Sequence, residues 1–279
     1  MKYPMSAPPH HPVTADQIRP GDPYELSEGR PVELMPTGRR GARSNLVGGG
    51  VLETDPAVEA AGVDLGVSPR PDMLRAPDIA VGPIADEPGW ATTAPPLAVE
   101  YADTGQDEAE LQRKIGELLA AGTRWIWVVR LHGARRVEVY EAAPPAPAAP
   151  EREAPAPPVP LARGRKLQQP ARVALPGEAL EAPGVLKNPV PVEALYDREA
   201  AHEATLRNLL QRKGYAGLDA VLEAGRLEGR NEALRGGVRD LCELLGIPLS
   251  PERNTALEAM DEAGILAVRD HLKRERRWP

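Results

Sequence analysis

Short apolar runs separated by turn residues fill the first half of the chain, and the last third places apolar residues three and four apart. "GRPVELMP" (29–36) alternates as a half-buried strand does. "RSNLVGGGVLETDPAVEAAG" (43–62) has helical spacing through Leu46, Val51, Leu52 and Val58, although the glycines at 48–50 weaken a helix. Three strand-like runs follow, "VDLGVSP", "LRAPDIAVG" and "PPLAVEYAD", with turn signals between them. "DEAELQRKIGELLAAG" (107–122) is the clearest helix. Acids occupy its first turn, Leu111, Ile115, Leu118 and Leu119 share one face, and Gly122 stops it. "TRWIWVVR" and "RRVEVYEA" then read as strands joined at "LHGA" as a hairpin. The order helix, three strands, helix, strand predicts an α/β core whose middle strands are covered on both faces.

Beyond that core the composition shifts twice. Residues 1–22 are rich in Pro and His and are expected to be disordered, leaving a core domain over 23–198. Residues 141–164 are Pro- and Ala-rich and read as a solvated insertion or tether. Residues 199–279 form an all-helical region by their spacing. Within it, Leu218, Val221 and Leu222 make one apolar patch and Leu241, Leu244 and Leu245 another, with a charge-laced stretch between. A helix over that span, or two joined near Gly236 and Gly237, needs a partner to bury so narrow a seam. The last helices of the same chain or a second copy would serve, and a homodimer through this region is the expectation.

Phe is absent and aromatics are only 4%, so the core must be built from Leu, Val, Ile and Ala. The single cysteine, Cys242, excludes an internal disulfide and a zinc ribbon. No run approaches the roughly 18 apolar residues of a membrane-spanning helix, and the first residues carry no apolar signal core. A soluble cytoplasmic protein with no membrane partner is expected. A net charge of −7 argues against a general nucleic-acid coat, although Arg30, Arg39, Arg40, Arg43, Arg70 and Arg75 cluster early. A solvated surface is the simpler reading of those arginines. The glycines at 48–50 are not followed by Lys-Ser or Lys-Thr, which rules out a phosphate-binding P-loop. The five histidines have no metal spacing and no G-x-S-x-G elbow occurs, which disfavours a small-molecule hydrolase.

Two acids stand out. Asp78 in "APDIAVG" and Glu100 in "PPLAVEYAD" each interrupt an apolar run, where an ionised carboxylate is costly unless paired or bound to a cation. On neighbouring strands they would raise each other's pKa unless a divalent metal sat between them. Lys114 falls on the flank of the apolar face of the 107–122 helix and can lean over the sheet edge. Acid, acid and lysine suit metal-assisted phosphodiester hydrolysis, with the ammonium stabilising the developing charge.

"YELSEGRPVELMPTG" (24–38), "APDIAV" (76–81), "PPLAVEYAD" (95–103), "KIGELLAAGTRWIWVV" (114–129) and "VPVEALYD" (190–197) together resemble the Uma-type restriction endonuclease family, a branch of the PD-(D/E)XK nuclease superfamily. The resemblance implies an αβββαβ restriction-endonuclease-like core, carrying here the Pro/Ala-rich insertion and the C-terminal helical region. It implies Asp78 and Glu100 as the metal-binding acids, Mg²⁺ (or Mn²⁺) as cofactor and DNA as substrate. The motif lysine would fall at Ala102 and is missing there; Lys114, on the following helix, matches the family's alternative lysine. Glu33 matches an acid often kept near the site, as an accessory ligand or water orienter. Arg43 and Ser44 stand where the family often has a histidine, and "YADTG" replaces its usual hydroxylated stretch. The acidic balance leaves a second reading open, a nuclease-fold scaffold acting in protein–protein interaction through its helical tail.

Overall fold

A computed structural model describes residues 12–142 and 168–279, so most of the Pro/Ala-rich insertion lies outside the described residues. The chain divides into two compact units, Met1–Arg212 and Lys213–Pro279.

The first unit opens with a hairpin, β1 (Tyr24–Ser27) against β2 (Arg30–Glu33), followed by α1 (Arg39–Glu53). Then come β3 (Ala60–Val63), β4 (Ile79–Gly82) and β5 (Leu97–Ala102), antiparallel in series. α2 (Glu108–Ala120) carries the chain over to β6 (Trp125–Arg130), which pairs parallel to β5. A helical crossover is what a parallel pair requires. β7 (Arg136–Glu141) and β8 (Arg172–Ala174) extend the sheet antiparallel, giving the order β3-β4-β5-β6-β7-β8 among the described residues. A two-residue pair, β9 (Ala179–Leu180) with β10 (Val190–Pro191), and a 3₁₀ turn at Val192–Leu195 lead into α3 (Arg198–Arg212).

Every residue of β5 is buried, and its side chains alternate between two cores. Leu97, Val99 and Tyr101 pack with Val51 and Leu52 of α1, Trp127 and Val129 of β6, and Leu195. Ala98 and Ala102 pack on the opposite face with Leu111, Ile115 and Leu118 of α2 and with Ile126 and Val128. Glu100 lies between Ala98 and Ala102 and therefore faces α2.

The glycine run that weakens the α1 prediction does not break the helix. A Cβ on Gly48 would sit 2.0 Å from the Tyr101 hydroxyl, so glycine is what lets α1 approach β5 this closely. That hydroxyl donates to the Leu195 carbonyl, 2.8 Å away, tying helix, sheet and closing segment together.

Three expectations meet differences. Residues 12–22 carry a 3₁₀ turn at Ala15–Gln17, and Ala15 and Ile18 are buried with Leu26 and Leu74. The strand expected at "VDLGVSP" forms earlier, at Ala60–Val63. Asp64 turns left-handed with φ +51° and ends it, and Val67 makes only isolated bridges. α3 groups with the first unit, so the division falls after Arg212 instead of at 198/199. The reason is capping: Arg212 donates to the carbonyls of Glu53, Thr54, Asp55 and Val58, and Asn208 to that of Val51, satisfying the end of α1.

The second unit is helical. α4 (Leu218–Leu244) runs unbroken through Gly236 and Gly237, and α5 (Pro251–Glu258) and α6 (Glu262–Glu275) follow. Val238 and Cys242 of α4 form a core with Leu257, Ile265, Val268 and Leu272. The other half of α4 leaves Leu218, Leu222 and Leu227 exposed. No helix among the described residues is long and apolar enough to cross a membrane.

Candidate active site

Asp78 sits one residue before β4. Ile79 pairs with Val99 in the antiparallel ladder, so the same register carried one step places Asp78 opposite Glu100, on the face covered by α2. The Asp78 Oδ2 accepts the backbone N–H of Tyr101 at 2.6 Å. Burial and the Asp64 and Glu25 charges raise the pKa of Asp78 against the opposing pull of Lys114 and that hydrogen bond. Glu100 is 7% exposed. Burial, then Asp78 and Glu25, push its carboxyl up to about 8 despite Lys114.

Lys114 projects from the middle of α2, whose N-cap Asp107 accepts from the amides of Ala109 and Glu110. Its ammonium donates to the Ala76 carbonyl at 2.7 Å and to Glu100 Oε2 at 3.0 Å, and it lies 2.8 Å from Glu100 Oε1 and 3.0 Å from Glu25 Oε1. Burial alone would lower the pKa of the lysine. Glu100, Glu25 and Asp78 outweigh it and hold its pKa above the ordinary value. The structure thus brings Asp78, Glu100 and Lys114 to one place.

It does not bring Glu33 there. Glu33 ends β2 opposite Tyr24 and is exposed. The acid at the site is Glu25 of β1, 2% exposed. Glu25 accepts from the Ala76 amide at 2.9 Å and from Arg75 at 2.8 Å. Burial would raise its pKa, but Lys114 and Arg75 hold it below the usual carboxylate value.

Arg75 is the second residue that sequence reasoning misplaces. Its side chain is fully buried, not solvated. It reaches Glu25 and Glu110 at 2.8 Å and Glu117 at 2.6 Å, and Glu117 also accepts the Ser27 hydroxyl at 2.7 Å. Glu110, Lys114 and Glu117 occupy successive turns of one face of α2, so that polar face points into the protein. The chain Ser27–Glu117–Arg75–Glu25–Lys114–Glu100 thus ties β1, α2 and β5 together.

A divalent cation fits this chemistry. The donors are hard carboxylate oxygens, and Glu100 Oε1 is buried without a hydrogen bond although the ammonium is near. Among the described residues, no group of three or more His, Cys, Asp or Glu is gathered to hold a metal. Asp78 and Glu100, opposite each other in the ladder, are the two acids that could contact one ion.

The proton on Glu100 has a stability consequence. Its folded pKa lies above 4.5, so the folded chain binds this proton more tightly than the unfolded chain does. The contribution is full below 4.5 and is lost as pH rises through about 8. In chelator, the melting temperature should fall across that window, and Glu100→Gln should remove this part of the fall. A melting temperature that climbs over the same range in wild type alone contradicts the assignment.

A mixed sheet with a helix on each face, with two opposed acids and a lysine on one of those faces, makes this first unit an α/β protein. The family follows from comparison with known proteins. The profile of Uma2, described as "putative restriction endonuclease", matches residues 13–168, and the chain belongs to this family. Among solved structures, a putative nuclease belonging to DUF820 from Anabaena variabilis is 18% identical, with a TM-score of 0.47, covering 68% of this chain and 99% of that one. No curated protein matches the chain.

Proposed function

We propose that the protein is a Mg²⁺-dependent endonuclease that hydrolyses DNA phosphodiester bonds, with α1, β3, β4, β5, α2 and β6 as its PD-(D/E)XK core. The observation that carries this reading is the convergence of Asp78, Glu100 and Lys114 on one face of the sheet, in a chain of the Uma2 family. Asp78 and Glu100 hold the ion. When bound, Mg²⁺ supplies Lewis acidity to the scissile phosphate and lowers the pKa of a water. Lys114 places a positive charge beside Glu100, where negative charge develops on the phosphate in the transition state. Glu25 and the Ala76 carbonyl fix the ammonium in place, and Glu25 helps keep it protonated. The Tyr101 amide fixes the orientation of Asp78.

Calorimetry with Mn²⁺ tests the site. Wild type should bind, and Asp78→Asn combined with Glu100→Gln should not. Equal heats from both proteins, or none from wild type, defeat the reading.

The exposed half of α4 supports a homodimer through the second unit, because Leu218 and Leu222 lie one turn apart and exposed. Light scattering should give twice the chain mass, and Leu218→Glu with Leu222→Glu should halve it. A monomeric wild type ends the dimer.

A further inference from the structure

The row of facing residues that sets Asp78 opposite Glu100 continues one strand further. Val63 of β3 pairs with Ile79 of β4, so the next pair along the ladder is Asp64 with Asp78. The Asp64 amide donates to the Asp78 carbonyl there at 3.4 Å. Val63 lies on the α1 face, since a Cβ on Gly49 would meet its Cγ2 at 3.9 Å. Strand alternation therefore sets Asp64 on the side of Asp78 and Glu100. In agreement, the Asp64 charge bears on the Asp78 carboxyl more than the charge of Glu25 does. The three acids step from the interior to solvent, with Glu100 buried, Asp78 half-buried and Asp64 exposed.

The fold makes no use of the Asp64 carboxylate. Among the described residues it accepts no hydrogen bond and meets no cation. Its backbone is left-handed at φ +51°, a conformation that Asp and Asn tolerate best after glycine. A turn role alone would therefore be served as well by asparagine. At the inner end of the row, Glu100 Oε1 is buried without a hydrogen bond, in a residue only 7% exposed. Neighbouring strands lie about 4.8 Å apart. A water held at about 2.1 Å by a small divalent ion, and donating over about 2.8 Å, spans about one strand spacing. An ion contacted by Asp78 and Glu100 is thus beyond direct reach of Asp64, as expected where no three acids are gathered among the described residues. It is within reach through one water.

We infer that Asp64 is a positioning residue of the candidate site, whose carboxylate accepts a hydrogen bond from a water on the divalent cation held by Asp78 and Glu100. The inference rests on the nuclease reading for the presence of that cation. Asp64 orients the water and strengthens the hold on the ion, as carboxylates behind a metal's direct ligands do. Its place at the exposed end of the row puts this water on the side from which substrate enters.

The test measures metal binding without cleavage. Full-length wild type and Asp64→Asn are titrated with Mn²⁺ by calorimetry, in the absence of DNA, at about 0.1 M and about 1 M salt, where the screening length falls from about 10 Å to about 3 Å. Asparagine keeps the shape and suits the left-handed backbone, so the variant should melt at or above the wild-type temperature in chelator. Its Mn²⁺ affinity should be about 10–100-fold weaker, the usual cost of losing a group behind the direct ligands. The ratio of the two affinities should survive in high salt. Equal affinities overturn the inference and leave the nuclease reading standing. A difference that vanishes in high salt, or that follows a lower melting temperature, overturns it too, as a diffuse field or a folding defect. Wild type that binds no Mn²⁺ removes both the nuclease reading and the inference. Binding that depends on Asp64 in a protein that cuts no DNA keeps the inference and removes the nuclease reading.

Discussion

Replacing Arg75 with leucine should destabilise the first unit by about 3–5 kcal/mol, the cost of leaving a buried charge without its partner. The guanidinium is fully buried and touches Glu25, Glu117 and Glu110. Leucine removes the cation and strands Glu25 and Glu117, which are themselves 3% and 1% exposed at their side chains. Those carboxylates must then take up protons or draw in water, and either weakens the fold. Arg75→Lys should recover only part of the loss, since an ammonium cannot present the planar fork that engages several carboxylates at once. Urea unfolding followed by tryptophan fluorescence reads the effect through Trp127, which is wholly buried in this unit. A loss below about 1 kcal/mol, the range of an exposed pair, would show that the network is not closed as described.

Lys114→Met should lower the rate of DNA cleavage by about 10²–10³, the size found when one preorganised transition-state donor is removed. Methionine keeps much of the apolar length of lysine, and the packed stripe of Leu111, Ile115 and Leu118 is untouched, so α2 should stay in place. The charge is what disappears. Glu100 and Glu25 then lose the cation they share, and both carboxyls should hold their protons to higher pH. Mn²⁺ binding should survive at raised pH, because Asp78 and Glu100 remain. Cleavage at the wild-type rate would remove Lys114 from the chemistry and leave it a structural ion-pair partner.

The main elements are legible in the sequence where local pattern and tertiary environment agree. α2 shows its acids, its apolar stripe and its stop at Gly122, and it ends as expected. β5 and β6 read as near-continuous apolar runs because both of their faces are buried. Asp78 and Glu100 are legible because an acid inside such a run is costly, and the ladder register sets one opposite the other. What escaped is built by long-range contact. Arg75 and Glu25 are fifty residues apart in sequence, and Arg75 and Glu117 forty-two. Each resembles a surface charge until the fold encloses it. Glu25 did carry a signal: it sits between Tyr24 and Leu26 in a short strand, the same pattern as the other two acids. Glu33 drew attention through the family pattern, but pairing with β1 leaves it at the exposed end of the hairpin. The glycines of α1 misled in the opposite direction, since helix propensity cannot register that Gly48 is required by Tyr101 across the interface.

The most direct test of metal-dependent DNA hydrolysis at Asp78 and Glu100 is cleavage of supercoiled plasmid in Mg²⁺ by wild type and by Asp78→Asn protein, prepared identically. Wild type should yield nicked and linear DNA, with no product in chelator, and the Asp78→Asn protein should leave the plasmid intact. Equal products from the two proteins, or an intact plasmid with wild type in both Mg²⁺ and Mn²⁺, would contradict it.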